Sequence, residues 1–286
     1  MRIIVCVKQI RFVCGRTGRD PEKHFLSPED EITRINPYDE VALEIALCVR
    51  EKQHGSTEII LMTLGNIIAE AELRRCLAMG ADEICQIDDN RRLDPWQKSG
   101  LIAMAIRDLG ADIVLCGKES LDTQNGQVGA FIAHKLGTPF ISAITDLNVR
   151  DKKIAEARRK AGRGKREKIE CLLPAVFTVD MGVHEPRLPL YEDKKKAFSS
   201  MIRTVHYHDH GEPAKTISAG TSQPRPRPVP VLAPDSALDS FERIRQLLMG
   251  SRVDKKGEIF RGSPDTQAEN IITFLVERGF LKDVKL

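Results

Sequence analysis

The sequence predicts an α/β fold in which helices cover both faces of a parallel sheet. Up to residue 117, short apolar runs rich in β-branched residues alternate with helical patterns, the order expected of parallel βα units. A polar loop with two glycines, Asp122–Gly129, then joins a strand-like run to an amphipathic helical pattern, as ligand-binding loops do in such sheets. Beyond about residue 205 the chain becomes proline-rich, which predicts an extended tail in place of a second core.

Strand and helix patterns alternate in order through the first half. The strand-like runs are IIVCV (Ile3–Val7), EIILMTLG (Glu58–Gly65), EICQI (Glu83–Ile87) and DIVLCG (Asp112–Gly117). The helical patterns are Asp39–Lys52, Ile67–Ala81 and Pro95–Gly110. In the first of these helices, one face is formed by Ala42, Ile45, Ala46 and Val49. Pro95 suits a helix start, and Gly80 and Gly110 suit helix ends.

The second half predicts extended strands around a basic hairpin, followed by a tail. PFISAITDLNV and EKIECLLPAVFTVDMG flank the hairpin RDKKIAEARRKAGRGKRE. After the proline-rich linker QPRPRPVPVLAP, two helices are predicted, in DSALDSFERIRQLLMG and SPDTQAENIITFLVERGF. We therefore expect a nucleotide-binding core over residues 1–198. Residues 199–286 would form the linker and helices, whose apolar faces dock on a partner chain.

Composition narrows the class of protein. The 286 residues are 41% hydrophobic and 30% charged, and the net charge of +3 gives no general argument for nucleic acid or a membrane surface. No apolar stretch approaches the roughly 20 residues of a membrane helix. The seven cysteines are odd in number and lack CxxC spacing, which indicates reduced thiols in a cytoplasmic protein. They are Cys6, Cys14, Cys48, Cys76, Cys85, Cys116 and Cys171.

The loop Asp122–Gly129 has the composition of a nucleotide-binding loop. The amides and dipole at the start of the following helix favour phosphate, and Gly126 and Gly129 would let the backbone approach a ligand closely. Its side chains suited to hydrogen-bond a ribose or a phosphate include Thr123, Asn125 and Gln127. From these residues alone, an ordinary βα loop with a capping aspartate explains the pattern equally well.

Signatures of other chemistry are missing from the sequence. Gly117-Lys118 follows a strand, but Glu119 stands where a Walker A loop has its magnesium-binding Ser or Thr. The glycine fingerprint of dinucleotide-binding folds does not follow the first strand. No Ser-His-Asp, paired-acid or reactive-cysteine arrangement stands out, so we expect no catalytic residue. The alternating histidines of HYHDH (206–210) could share one face and bind a metal, but a solvated turn is favoured and no metal site is expected.

Five motifs in order between Met1 and Pro189 resemble the β subunit of electron transfer flavoproteins. They are IIVCVKQI, INPYDEVALEIA, LGN with LRRCLAMGADE, LCGKESLDTQNGQVGAFIA and LPAVFTVDMGVHEPRLP. Each motif is weak alone, but five at the family's spacing make the resemblance specific. The late segment GEIFRGSPDTQAENIITFLVERGF also looks like the C-terminal helix of longer members, including nitrogen-fixation-linked and anaerobic ones.

The resemblance implies an adenine-nucleotide α-hydrolase-like, Rossmann-like fold and a heterodimer with a larger α subunit. One FAD would be shared with that subunit, while the β pocket would hold AMP, or a second FAD in electron-bifurcating members that oxidise NADH. The complex would pass electrons between a dehydrogenase, such as an acyl-CoA dehydrogenase, and an acceptor such as a quinone oxidoreductase or a ferredoxin. The chain would then be an electron carrier more than a classical enzyme, and an oxidoreductase if the complex bifurcates.

Matched residue by residue, the family's cofactor-binding positions fall on strand ends, a helix start and the polar loop. They are Cys6, Val7, Asn36, Pro37, Tyr38, Asp39, Leu64, Gly65, Asp122, Thr123, Gln124, Asn125, Gly126, Gln127, Val128 and Gly129. The loop departs from the Asp-Gly-Asp-Thr-Ala-Gln-Val-Gly common in bifurcating members, which favours AMP slightly and leaves FAD open. The family's acidic hairpin is replaced by RRKAGRG, and its partner-recognition loop reads LPLYEDKKKAF.

Two other functions compete with the carrier. An ATP-using enzyme of the same superfamily usually carries Ser-Gly-Gly-x-Asp-Ser after the first strand, where this chain reads VKQIRFVCGRTG. A non-redox adenine-nucleotide-binding module has no need of the long tail or of LPAVFTVD, both of which look built for a partner chain. The non-redox nucleotide-binding module therefore remains as the alternative to an electron carrier.

Overall fold

The computed structural model describes residues 1–13, 31–54, 57–182, 184–207, 213–217, 237–249 and 262–277. The strands are β1 (Arg2–Cys6), β2 (Gln9–Val13), β3 (Glu31–Ile35), β4 (Glu58–Leu64), β5 (Glu83–Ile87), β6 (Ile113–Gly117), β7 (Phe140–Arg150), β8 (Ile154–Lys160), β9 (Arg166–Leu172), β10 (Ala175–Val179) and β11 (Ile202–Val205). The helices are α1 (Pro37–Lys52), α2 (Glu70–Ala78), α3 (Pro95–Leu109), α4 (Val128–Leu136), α5 (Tyr191–Ser199), α6 (Ser240–Met249) and α7 (Pro264–Glu277).

One nine-stranded sheet organises the fold, in the order β11-β5-β4-β1-β6-β10-β7-β8-β9. Neighbours run parallel from β11 to β7, and β8 and β9 add an antiparallel hairpin at the far edge. A separate antiparallel pair, β2 and β3, follows β1. The predicted α/β fold with a parallel sheet and the predicted basic hairpin are therefore confirmed.

Helices bury both faces of the central strands. Successive side chains of a strand point to opposite faces, and in β1 Ile3 and Val5 join the core under α1 and α2, while Ile4 joins the core under α3 and α4. All three side chains are fully buried. The predicted inner face of α1 is buried as well, at Ala42, Ile45, Ala46 and Val49. Strands covered on both sides can be apolar throughout, which is why the sequence reads as continuous apolar runs.

Local hydrogen bonds decide where helices begin. Asp94 caps α3: its carboxylate accepts from the amide of Gln97 at 2.8 Å, and the Gln97 side chain accepts from the Asp94 amide. The second helix begins later than its sequence pattern suggests. The amides of Ile68 and Ala69 donate to the side-chain oxygen of Gln9 at 2.8 and 2.6 Å, which holds this segment as a loop before α2.

Two compact units divide the chain, Met1–Thr221 and Ser222–Leu286. The two predicted tail helices form as α6 and α7 in the second unit. The expected division between residues 198 and 199 falls just before β11, which pairs with β5 and so belongs to the sheet. Within the segment LPLYEDKKKAF, named above as a loop, residues from Tyr191 onward form α5. Docking of residues 199–286 on a partner stays a prediction.

Candidate functional site

The carboxyl ends of β1 and β6 form the point where the chain changes face. From β1 the chain moves outward to β4 and β5 with α1 and α2 on one face, then returns to β6 with α3 and α4 on the other. The loops after β1 and β6 therefore diverge and leave a crevice between them. In open parallel sheets ligands bind in such a crevice.

A buried carboxylate, that of Asp39 in the first turn of α1, joins these two strand ends. One oxygen accepts the amide of Lys8 at 2.8 Å, just beyond β1, and the other accepts the amide of Gly117 at 2.9 Å, the last residue of β6. Burial raises the pKa of Asp39 to about 7, against the opposing effect of the donors around it. A Cβ on Gly117 would lie 2.2 Å from that carboxylate, so this approach requires glycine.

Three residues just before Asp39 in sequence, Asn36, Pro37 and Tyr38, shape the loop that follows β6. Asn36 is 1% exposed, and its side-chain nitrogen donates to the carbonyl of Glu119 at 2.9 Å while its oxygen accepts the amide of Leu121 at 3.3 Å. The hydroxyl of Tyr38 donates to the Glu119 carboxylate at 3.1 Å. Pro37 occupies the first turn of α1, where its missing amide costs nothing. In this structure the INPYD motif thus positions the loop through buried contacts.

Lys8 ties the end of β1 to the polar loop. Its ammonium lies 2.7 Å from the carboxylate of Asp122, 3.0 Å from the hydroxyl of Ser120 and 3.3 Å from that of Thr123. Burial alone would raise the pKa of Asp122. The hydrogen bonds that Asp122 accepts, that of Lys8 first among them, outweigh burial and hold its pKa below the ordinary value. The loop therefore has a defined shape before α4 begins.

The rest of the polar loop is exposed and leads into the amino terminus of α4. Residues 122–127 are exposed, and Gln124 and Gly126 adopt positive φ angles of 50° and 60°. The first amide of α4 with a helical partner is that of Phe131, which donates to the carbonyl of Gln127, so the amides before it are available to an anion. Val128, the first residue of α4, is half-buried.

Gly129 allows α4 to pack closely against the sheet, whether or not a ligand also approaches it. It is buried, and a Cβ built on it would lie 2.5 Å from the methyl group of Thr178 in β10. The absence of a side chain lets α4 lie directly on the sheet. At Gly126 a Cβ would meet only the carbonyl of Lys118, at 3.4 Å, but its φ favours glycine.

The remaining predicted positions lie on neighbouring strand ends. Cys6 ends β1 beside Cys116 of β6; the hydrogen bond between the two thiols and burial raise the pKa of Cys116 well above its ordinary value. Val7 donates its amide to Met62 of β4 at 2.8 Å. Leu64 ends β4. Gly65 follows at a φ of 100°, and its carbonyl accepts from the Gln86 side chain at 2.9 Å.

Comparison with known proteins identifies a family and several relatives that this chain resembles. The family described as "Electron transfer flavoprotein domain" matches residues 27–209, more than half of the chain. An electron transfer flavoprotein subunit beta of Bacillus subtilis is 31% identical over 244 residues, which is 84% of this chain and 85% of that protein. The caffeyl-CoA reductase-Etf complex subunit CarD of Acetobacterium woodii is 34% identical over 214 residues, 74% of this chain and 80% of CarD. Protein FixA of Azotobacter vinelandii is 30% identical over 206 residues, 69% and 72% of the two chains.

This chain belongs to the electron transfer flavoprotein family, as a β-type subunit. The resemblance drawn from its five motifs is thereby confirmed. Within the family fold, the structure brings the predicted strand-end, helix-start and loop residues to one edge of the sheet. At that edge, the side chains of Asn36 and Asp39 hydrogen-bond to backbone groups near the ends of β1 and β6.

Sequence reasoning missed four side chains of this β-type subunit that lie at the same edge. They are Lys8, Gln9, Lys98 and Glu119. Lys8 and Gln9 directly follow the first strand, and that position alone would have marked them, because residues just beyond the carboxyl end of a parallel strand face the ligand crevice. Lys98 lies inside a helix pattern 24 residues before Asp122 and had no local signal.

Other sites in the described residues offer less. A cleft of about 930 Å³ opens at the opposite, amino edge of the sheet, but its carboxylates are engaged: Asp112 accepts the Arg2 amide at 2.7 Å, and Glu58 pairs with the Arg2 side chain. No group of three metal-ligating side chains is found in the described ranges, and His208 and His210 lie outside them. None of the helices described is long and apolar enough to cross a membrane.

Proposed function

We propose that this chain combines with an α-type subunit into a flavin-containing carrier that passes electrons between a dehydrogenase and an acceptor. In this proposal its loop Asp122–Gly129 holds the phosphate of an adenine nucleotide. The proposed nucleotide site is supported by the position of this loop. The loop leads into the amino terminus of α4, beside the point between β1 and β6 where the chain changes from one face of the sheet to the other.

The residues present fit a phosphate-bearing ligand. The loop offers exposed amides and hydroxyls, and a glycine at positive φ in Gly126. A phosphate placed there would accept from the α4 amides, and Thr123, Asn125 and Gln127 would be in reach of a ribose or phosphate. The flavin of the complex accepts and gives up the electrons. The role of this chain is to bind the nucleotide and to help orient the flavin and shield it from solvent.

Two exposed apolar surfaces support partner contacts. The first surrounds α5, where Leu188, Leu190, Tyr191 and Phe198 are exposed beside Lys194–Lys196. The second comprises the exposed apolar side chains of the two tail helices, Phe241 and Ile244 on α6 and Ile271 and Val276 on α7. Apolar area of this kind normally marks interaction sites. We assign the tail helices to the α-type subunit and the α5 surface to the electron partner.

The electron partner proposed is a dehydrogenase acting on a CoA thioester, of the acyl-CoA dehydrogenase type. Its support is the similarity to CarD, whose name places it in a caffeyl-CoA reductase-Etf complex. The acceptor would be a quinone oxidoreductase or a ferredoxin. We place the complex in the cytoplasm, because the described cysteines are free thiols and a reducing compartment keeps them so.

A second candidate is the bifurcating form, with a second FAD in place of AMP and NADH as the electron donor. It is favoured by α7, which forms where the sequence resembles longer anaerobic members. The main loop argues for AMP, since Gln124 and Asn125 bring no charge to a flavin environment.

Acid extraction of the purified complex with its α-type subunit, followed by chromatography, separates these candidates. We expect one FAD and one AMP per heterodimer. Two FAD without AMP would replace the simple carrier with the bifurcating form. A complex that carries adenine nucleotide but shows no flavin spectrum would favour the non-redox module and overturn both redox proposals.

A further inference from the structure

The first turn of α3 lies against the beginning of α4. The ring of Trp96 in α3 meets the ring of Phe131 in α4 edge-on, with centroids 5.3 Å apart. Lys98 occupies the same first turn of α3 as Trp96 and is half-buried. The ammonium of Lys98 has no hydrogen bond or ion pair with any residue that the structure describes. Such a group is unusual, because a partly buried cation normally finds a partner.

Lys98 has charged neighbours at this end of the loop but forms no direct ion pair with any of them. Lys98 is close enough to Lys8 and Asp122 for both to act on it: burial and the Lys8 charge lower the pKa of Lys98, while Asp122 and Asp94 oppose this. Asp122 is already paired with Lys8 at 2.7 Å. Asp94 accepts the amides of Gln97 at 2.8 Å and Lys215 at 2.5 Å. Both carboxylates are held by other donors, and neither forms a hydrogen bond or an ion pair with Lys98.

We propose that Lys98 binds the phosphate of the nucleotide and that Lys8 positions the loop for it through Asp122. The inference rests on the proposed nucleotide site. A phosphomonoester carries a charge of about −1.5 to −2 at neutral pH on a single group. It would supply the missing partner of Lys98 while accepting from the α4 amides.

The test compares AMP with adenosine on the full-length chain, freed of bound nucleotide and titrated by calorimetry. Lys98→Met should weaken AMP binding by at least about tenfold, the usual loss for a charge-assisted hydrogen bond, and change adenosine binding less than about twofold. Lys98→Arg, which keeps the charge, should recover most of the AMP affinity. Lys153→Met, in the exposed turn between β7 and β8, is the matched control for loss of one lysine charge.

Lys8 has a separate signature. If Lys8 acts by positioning the loop, Lys8→Met should weaken AMP binding in the native sequence but have little further effect in an Asp122→Asn background. An undiminished effect in that background would mean direct contact with the phosphate and would overturn the positioning role.

The outcomes distinguish this inference from the proposed function. A wild-type chain that binds neither AMP nor FAD would refute the nucleotide site itself. Normal AMP binding by Lys98→Met would overturn only the role of Lys98. Equal losses for AMP and adenosine would also overturn it, since they would show that Lys98 supports the shape of the pocket. Thermal unfolding of each variant identifies any that fail to fold; if Lys98→Met is among them, Lys98→Gln, which also removes the charge, carries the comparison with adenosine.

Discussion

Gly117 and Asp39, 78 residues apart in sequence, approach so closely that a single added carbon would collide. The Gly117 amide donates to Asp39 at 2.9 Å, and a Cβ at Gly117 would lie 2.2 Å from the same carboxylate and 2.7 Å from the Cβ of Tyr38. Because Asp39 also holds the Lys8 amide, this contact joins the two strand ends that border the candidate site.

Gly117→Ala should therefore lower the free energy of unfolding by about 1–3 kcal/mol, the usual range for overpacking a well-packed site. The collision is with a buried carboxylate that two amides hold in place, so little can move aside. Urea unfolding measures the change. Lys118→Ala, on the next and more exposed residue, should cost less than about 0.5 kcal/mol. Equal stability of the Gly117 variant and the wild type would contradict the close approach.

The Asp39 carboxyl should make stability depend on pH. Burial raises the pKa of Asp39 from 3.8 to about 7, so between these values the folded state keeps a proton that the unfolded state has lost. Its contribution to folding is most favourable below about pH 4, declines as pH rises, and levels off above about 7, with a slope of at most about 1.4 kcal/mol per pH unit. Asp39→Asn removes this slope. Unfolding curves of the two proteins that stay parallel from pH 4 to 8 would refute the assignment.

Gly129 and Thr178 should be energetically coupled. Gly129→Ala brings a methyl group to 2.5 Å from the Thr178 methyl and should cost about 1–3 kcal/mol and reduce the nucleotide that co-purifies, with a larger effect for Gly129→Val. Thr178→Ser removes that methyl but keeps the oxygen that accepts the Ala143 amide at 2.9 Å. The double variant should thus recover much of the loss, and a coupling energy near zero in the double-mutant cycle would show that the two do not meet. Full nucleotide occupancy in Gly129→Val would count against the loop as the phosphate site.

The last helix should matter for assembly. Ile271 and Val276 on α7 are 48% and 40% exposed, a large share for branched apolar side chains. Deletion of residues 264–286 should reduce the yield of heterodimer on co-purification with the α-type subunit, and Ile271→Asp alone should do so partly. Gln267→Ala on the same helix is the control. Unchanged heterodimer yield after the deletion would rule out this docking role.

Several features of the fold could be predicted because they depend on sequence patterns that extend over only a few neighbouring residues. Apolar runs and helical periodicity located β1, β4, β5, β6 and the helices between them, and proline and serine before an apolar pattern marked the start of α7. The order of five motifs was enough to place the chain in its family. Four elements were missed for physical reasons. α5 is short and highly charged, and β11 is a four-residue edge strand with a half-polar sequence. β2 and β3 are five-residue strands in which polar residues interrupt the apolar ones, and they form a two-stranded sheet of their own, so none of the four has a strong period.

The sequence by itself determined the alternation of strands and helices, and it predicts a ligand site at one edge of the sheet with the loop Asp122–Gly129 as its centre. Tertiary structure decided what individual side chains do there. Asn36 and Asp39, expected at the ligand, are buried and engaged with the backbone after β1 and β6, while Lys8 and Lys98 come to the loop from 114 and 24 residues away. Periodicity reports on neighbours along the chain, but a hydrogen bond or a charge balance depends on which distant residues the folded sheet brings within a few ångströms.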